Sequence, residues 1–130
     1  MVERVCNFGP DRSLVGIYTQ PDKTNQSPDL PTVVLLNAGL LHHVGQNRLN
    51  VTLARCLSGL GYPTFRFDFS GQGDSHVQTG SAAVGDRCVN EVGEALDFLQ
   101  RTRDTKSFVL IGLCTGADNA HRSAVADERV

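Results

Sequence analysis

Hydrophobic residues along the chain follow two alternating rhythms. Short runs rich in β-branched and aromatic residues, at positions 4–8, 14–19, 32–36, 63–68 and 108–111, each predict a strand. The first two flank Gly9-Pro10-Asp11-Arg12-Ser13, a turn signal that makes them a hairpin. Thr32-Val33-Val34-Leu35-Leu36 is almost continuously apolar, as a strand buried on both faces should be. Between later runs the period lengthens. Leu49, Leu53, Leu57 and Leu60 form a helical stripe closed by Gly59 and Gly61. Cys88, Val92, Ala95, Leu96 and Leu99 form a second, with Arg101 and Arg103 suiting its C-terminal end. A third helix is expected from 115 to about 126. Residues 20–31, polar and proline-containing, read as a solvent loop.

A hairpin followed by strand and helix in three repeats is an α/β pattern. It predicts one domain: a mostly parallel sheet with an antiparallel N-terminal hairpin and flanking helices. Nucleotide-binding α/β domains share this alternation, but they need G-x-G-x-x-G after the first parallel strand. Asn37-Ala38-Gly39-Leu40-Leu41-His42 does not supply it, and no cofactor is called for.

Composition narrows the partners. A net charge of -2 gives no electrostatic reason to expect nucleic acid or an anionic membrane surface. No stretch approaches the roughly 20 apolar residues of a membrane span, and residues 1–5 lack a signal-peptide core, so a cytoplasmic location is the expectation. Cys6, Cys56, Cys88 and Cys114 are widely spaced with no C-x-x-C pair, which argues against zinc or any other metal. Cys6 in a strand and Cys56 and Cys88 on apolar helix faces are expected to be buried thiols.

Cys114 stands apart. Gly112-Leu113-Cys114-Thr115-Gly116 directly follows the apolar run at 108–111 and reads as G-x-nucleophile-x-G, the sharp strand-to-helix turn that displays a nucleophile. Gly112 and Gly116 are then steric requirements of that turn. Two upstream loops support the reading. Gly39, in the loop after the third strand, lets the backbone approach a substrate oxygen. Leu40 is the candidate for one oxyanion-binding N–H, and Thr115 for the other. Asp68-Phe69-Ser70-Gly71-Gln72-Gly73-Asp74-Ser75 leaves the fourth strand. There Gly71 and Gly73 permit a tight loop, and Asp68 can hold it by accepting backbone N–H bonds. Asp68 precedes the nucleophile, the wrong order for a catalytic acid, and no P-loop Lys-Ser or Lys-Thr follows.

Together Leu36-Asn37-Ala38-Gly39, Gly45 with Asn47-Arg48-Leu49, the segment 65–75 and Gly112-Leu113-Cys114-Thr115-Gly116-Ala117 resemble an α/β-hydrolase over residues 33–130. Within that superfamily the chain is similar to bacterial serine-aminopeptidase-like and exosortase-associated hydrolases. Several of those carry Cys in the turn, as dienelactone hydrolases also do. The resemblance implies Cys114 as nucleophile, Leu40 and Thr115 as oxyanion hole, and a small-molecule acyl substrate: an ester, thioester or amide. It also implies an acid and a histidine following the nucleophile. Asp127-Glu128-Arg129-Val130 reads as the lead-in to a further strand, so the chain resembles an N-terminal half, truncated before both.

Four histidines bear on that gap. His121, about two turns along the third helix, reads as a half-buried helix residue. His42 and His43 fall in the candidate oxyanion loop, where one of them is expected to shape the substrate site, and His76 follows the Gly71/Gly73 loop. A thiol at the start of a helix is nucleophilic without a general base, where a serine would be nearly inert. Selective alkylation of Cys114 without turnover is therefore the expectation. The strand at 108–111, central in a complete fold, would here be an open edge favouring self-association. The alternative is a non-catalytic half-domain that docks to a partner.

Overall fold

The structure, a computed structural model, describes every residue except Gln26, Pro28, Ser81 and Ala82. Five strands form one sheet: β1 (Val2–Phe8), β2 (Leu14–Gln20), β3 (Thr32–Leu36), β4 (Thr64–Phe67) and β5 (Phe108–Gly112). Their spatial order is β1-β2-β4-β3-β5. The strands β4, β3 and β5 run parallel, and the β1–β2 hairpin joins them antiparallel through β2 and β4. Three helices flank the sheet: α1 (Leu49–Gly59), α2 (Val84–Arg103) and α3 (Thr115–Ala126). This is the α/β architecture the hydrophobic rhythm predicts. No helix among the described residues is long and apolar enough to cross a membrane.

Strand alternation assigns the side chains to two faces. Phe8, Leu14, Tyr18, Val34, Leu36, Phe65 and Phe67 pack with Val92, Ala95, Leu96 and Leu99 of α2 into the principal core. Phe8 lies 5.5 Å from both Phe65 and Phe67 by ring centroid, edge-on to each, the preferred aromatic geometry. Gly16 makes room for this cluster, since a Cβ there would collide with the Phe65 ring. The opposite face carries a smaller cluster of Val33, Leu35 and Ala54, with Leu53, Leu57 and Tyr62 partly buried against it.

The α1 stripe differs from the predicted one. The residues α1 buries are Val51, Ala54 and Ser58, while Leu49 and Leu60 are exposed. Repeats of four residues drift about 40° round a helix at each step, so the leucines do not stay on one side. Spacings of three and four, as in 51, 54 and 58, do. Cys56 consequently faces solvent rather than the core, and Cys88 is only half-buried. Cys6 alone of the three is buried as expected. β5 is the sheet edge, and its side chains Val109 and Ile111, on the α1 face, are 42% and 38% exposed.

Candidate active site

β5 ends at Gly112, and after Leu113 and Cys114 the chain is already in α3. A reversal this short forces unusual backbone angles. Cys114 has φ 56° and ψ -125°, a region that ordinarily costs a non-glycine residue about 1–3 kcal/mol. Two turn bonds hold it: Gly116 N–H donates to Leu113 O at 3.0 Å, and Ala117 N–H to Cys114 O at 2.9 Å. The flanking glycines are required sterically. A Cβ on Gly112 would collide with the Gly116 backbone, and one on Gly116 would lie 2.8 Å from the carbonyl oxygens of Leu36 and Asn37. The small residue at 116 thus lets α3 start against the end of β3. Cys114 is exposed at the tip.

The loop after β3 reaches this turn. Gly39, at φ 55°, donates its N–H to Thr115 Oγ1 at 2.6 Å, tying the loop to the residue that follows Cys114. Leu41 N–H closes a turn onto Ala38 O at 3.1 Å. Between these bonds the N–H of Leu40 has no acceptor among the described residues, and neither has that of Thr115. Leu40 itself is 88% exposed. Two N–H groups without an acceptor among the described residues thus lie on loops joined by a hydrogen bond, one of them on the residue after the exposed Cys114. The Thr115 side chain as the tie was not foreseen from the motif, in which only its backbone had a role.

Asp68 organises the next layer. It is fully buried, and its carboxylate accepts four hydrogen bonds. Oδ1 accepts from His43 N–H at 2.6 Å and from Asn37 Nδ2 at 3.3 Å. Oδ2 accepts from Asp74 N–H at 3.0 Å and pairs with His43 Nδ1 at 2.7 Å. Burial alone would raise the Asp68 carboxyl, but the His43 ring and the N–H groups of Asp74 and His43 outweigh it and hold the carboxyl below its usual range. An ionised carboxylate only accepts, so Nδ1 of His43 carries the hydrogen. Gly73 is the loop's steric requirement, because a Cβ there would run into the Asp68 carboxylate. Gly71, at φ 75°, turns the chain two residues earlier. Asp68 therefore clamps the 68–75 loop to the loop after β3.

The His43 ring is the part that sequence did not reveal. Its partner lies 25 residues away, and only the rule that a buried carboxylate must find donors hints at it. His43, Asp68 and Asp74 each bring a ligand-type atom within 4.8 Å of the others. They make a poor metal site, since the Asp68 oxygens are already taken by four donors. His42 and His76 are exposed. His121 is exposed too, rather than half-buried, because α3 turns that side away from α2.

Beside the turn lies a cleft of about 380 Å³, lined by Gly39, Leu40 and Thr115 on one side and by Phe69, Gln72 and Cys88 on the other. Leu40 and Thr115, whose N–H groups lack an acceptor among the described residues, both line it.

The fold is similar to that of solved α/β-hydrolases. An α/β serine hydrolase homologue from Coxiella burnetii superposes with a TM-score of 0.72 at 24% identity, covering 98% of this chain and 58% of its own. A lidless α/β serine hydrolase from Xanthomonas campestris gives 0.66 at 26% identity, covering 98% and 57%. An esterase from Pyrococcus furiosus gives 0.79 at 16%, covering 99% and 46%. The chain thus spans about half the length of these solved hydrolases and corresponds to the N-terminal half of their fold. No family model matches the chain, and no curated protein matches it in sequence.

Proposed function

We propose that the chain carries the nucleophile and oxyanion half of a hydrolase acting on a small acyl substrate, an ester, thioester or amide. Cys114 Sγ attacks the carbonyl carbon while the carbonyl electron pair moves onto oxygen. The N–H groups of Leu40 and Thr115 receive that oxyanion. Collapse expels the alcohol, thiol or amine with a proton, leaving a thioester on Cys114. Water then attacks this thioester, releasing the acid and restoring the thiol. The observation that carries the reading is the backbone at Cys114: a positive φ at a strand-to-helix turn whose two flanking glycines cannot be replaced without collision. No residue described here is assigned as the acid or base of a triad. Asp68 is fully engaged elsewhere, and His121 points to solvent.

Intact-mass and peptide mapping after brief iodoacetamide treatment tests the nucleophile. Cys56 is exposed, so exposure is matched and the comparison isolates reactivity. Cys114 should be labelled first, with the adduct lost in Cys114→Ser. Equal labelling of Cys56 and Cys114 would overturn the proposal.

A second reading, docking through the open edge, draws on the exposure of Val109 and Ile111 along β5. It predicts concentration-dependent association in sedimentation velocity that Val109→Lys abolishes.

A further inference from the structure

On the α1 face, away from Cys114, the molecule gathers cations round a second cleft of about 370 Å³. Arg66 comes from the middle of β4. Arg48 precedes α1, and Arg55 lies on the same side of that helix two turns on. Arg4 of β1 and the buried His43 complete the wall. Glu3 is the acidic residue lining it.

The local charge is not balanced. Glu3 binds Arg55 at 3.0 Å and Arg66 at 3.3 Å. Arg4 and Arg48 have no acidic partner among the described residues. Arg66 makes the strongest case. It is 95% buried by its 5% exposure, its contact with Glu3 is a long one, and its Nε has no acceptor among the described residues. Taking a guanidinium out of water without filling its donors is costly unless an anion completes them. Burial and the neighbouring Arg55 and Arg48 act to lower the Arg66 guanidinium, and Glu3 only partly opposes them.

From this arrangement we infer that the cleft binds a small oxyanion ligand, a phosphate or phosphate monoester, between Arg66, Arg48 and Arg55. Planar guanidinium forks match phosphate oxygens with paired hydrogen bonds, and the first turn of α1 favours negative charge. The cleft's size suits one phosphate with a small organic remainder. A net charge of -2 gives no electrostatic reason to expect an extended nucleic-acid backbone as the ligand instead. The site is separate from the acyl cleft and shares with its surroundings His43, whose ring is bound to Asp68.

Isothermal titration of inorganic phosphate and of glycerol 2-phosphate into the purified chain, at constant ionic strength set by chloride, tests this. Saturable binding at one site is expected, weakened about tenfold in Arg48→Ala, whose exposed position spares the fold. Arg66→Lys keeps the charge but loses the fork, and it should weaken binding too, with circular dichroism confirming the fold. Tighter binding of the monoester would show that the cleft also holds the organic remainder. Equal affinities would assign it to free phosphate. Heats that disappear at matched ionic strength, or binding unchanged in Arg48→Ala, would overturn the inference.

Discussion

The two faces of the sheet are built to different standards. One face meets α2 through Phe65, Phe67, Val92, Leu96 and Leu99, all nearly inaccessible, and the aromatic rings interlock. The α1 face closes over Val33, Leu35 and Ala54 and then opens. Val5 is 69% exposed, Val109 and Ile111 are half-covered, and a buried arginine stands where the other face places phenylalanine. Neighbouring residues of one strand, Phe65, Arg66 and Phe67, thus serve opposite purposes. The aromatic face supplies stability. The arginine-bearing face leaves polar and apolar surface uncovered.

The largest effect should come from removing an aromatic ring of the filled face. Phe67→Ala is expected to cost about 3–5 kcal/mol by urea denaturation, whereas Val109→Ala on the open face should cost about 1 kcal/mol or less. Comparable losses would mean that the open face is as well packed as its opposite.

Next comes the clamp between the loops. Asp68→Ala leaves the N–H groups of His43 and Asp74, the His43 ring and Asn37 without their acceptor, and about 3 kcal/mol should be lost. The rate of Cys114 alkylation should change with it, because the loop after β3 is tied to Thr115. A change in stability with no change in that rate would confine Asp68 to a structural role.

A smaller effect separates the faces by pH. Asp68 titrates below its usual range, so its contribution is complete above pH 3.8 and is lost as pH falls through the depressed value. Glu91, in α2, behaves oppositely. Burial raises its carboxyl above 4.5 even though Oε2 accepts Ser70 N–H at 2.8 Å, so the native state favours its protonated form. That contribution is full below pH 4.5 and lost as pH rises through the elevated value. Urea midpoints measured across this range should show Glu91→Gln flattening the loss above 4.5 without altering the acid side. A Glu91→Gln profile parallel to wild type would count against the assignment.

The smallest expected change is at Val5, already in solvent. Val5→Thr should shift stability by no more than about 0.5 kcal/mol, and a larger loss in thermal unfolding would show a covering contact on that side.

Much of this was legible before folding. The alternation of strand and helix follows from residue period, which a local window contains. The turn at Cys114 follows from two glycines four residues apart after an apolar run, because steric demands within a turn are local. The orientation of α1 was harder. Four leucines suggested a stripe, but the sheet selects Val51, Ala54 and Ser58, and Cys56 emerged into water as a result. Thr115's tie to Gly39 spans 76 residues and leaves no trace in spacing.

By itself, then, the sequence determined the order and kind of elements and the tight turn at Cys114, since each depends on neighbours along the chain. Only the tertiary structure decided which donors fill Asp68, that His43 is one of them, and that Arg48, Arg55 and Arg66 line one hollow. Those arginines come from the start and body of α1 and from β4. Their charges act through space, and it is the sheet order, not the chain order, that brings them to one hollow.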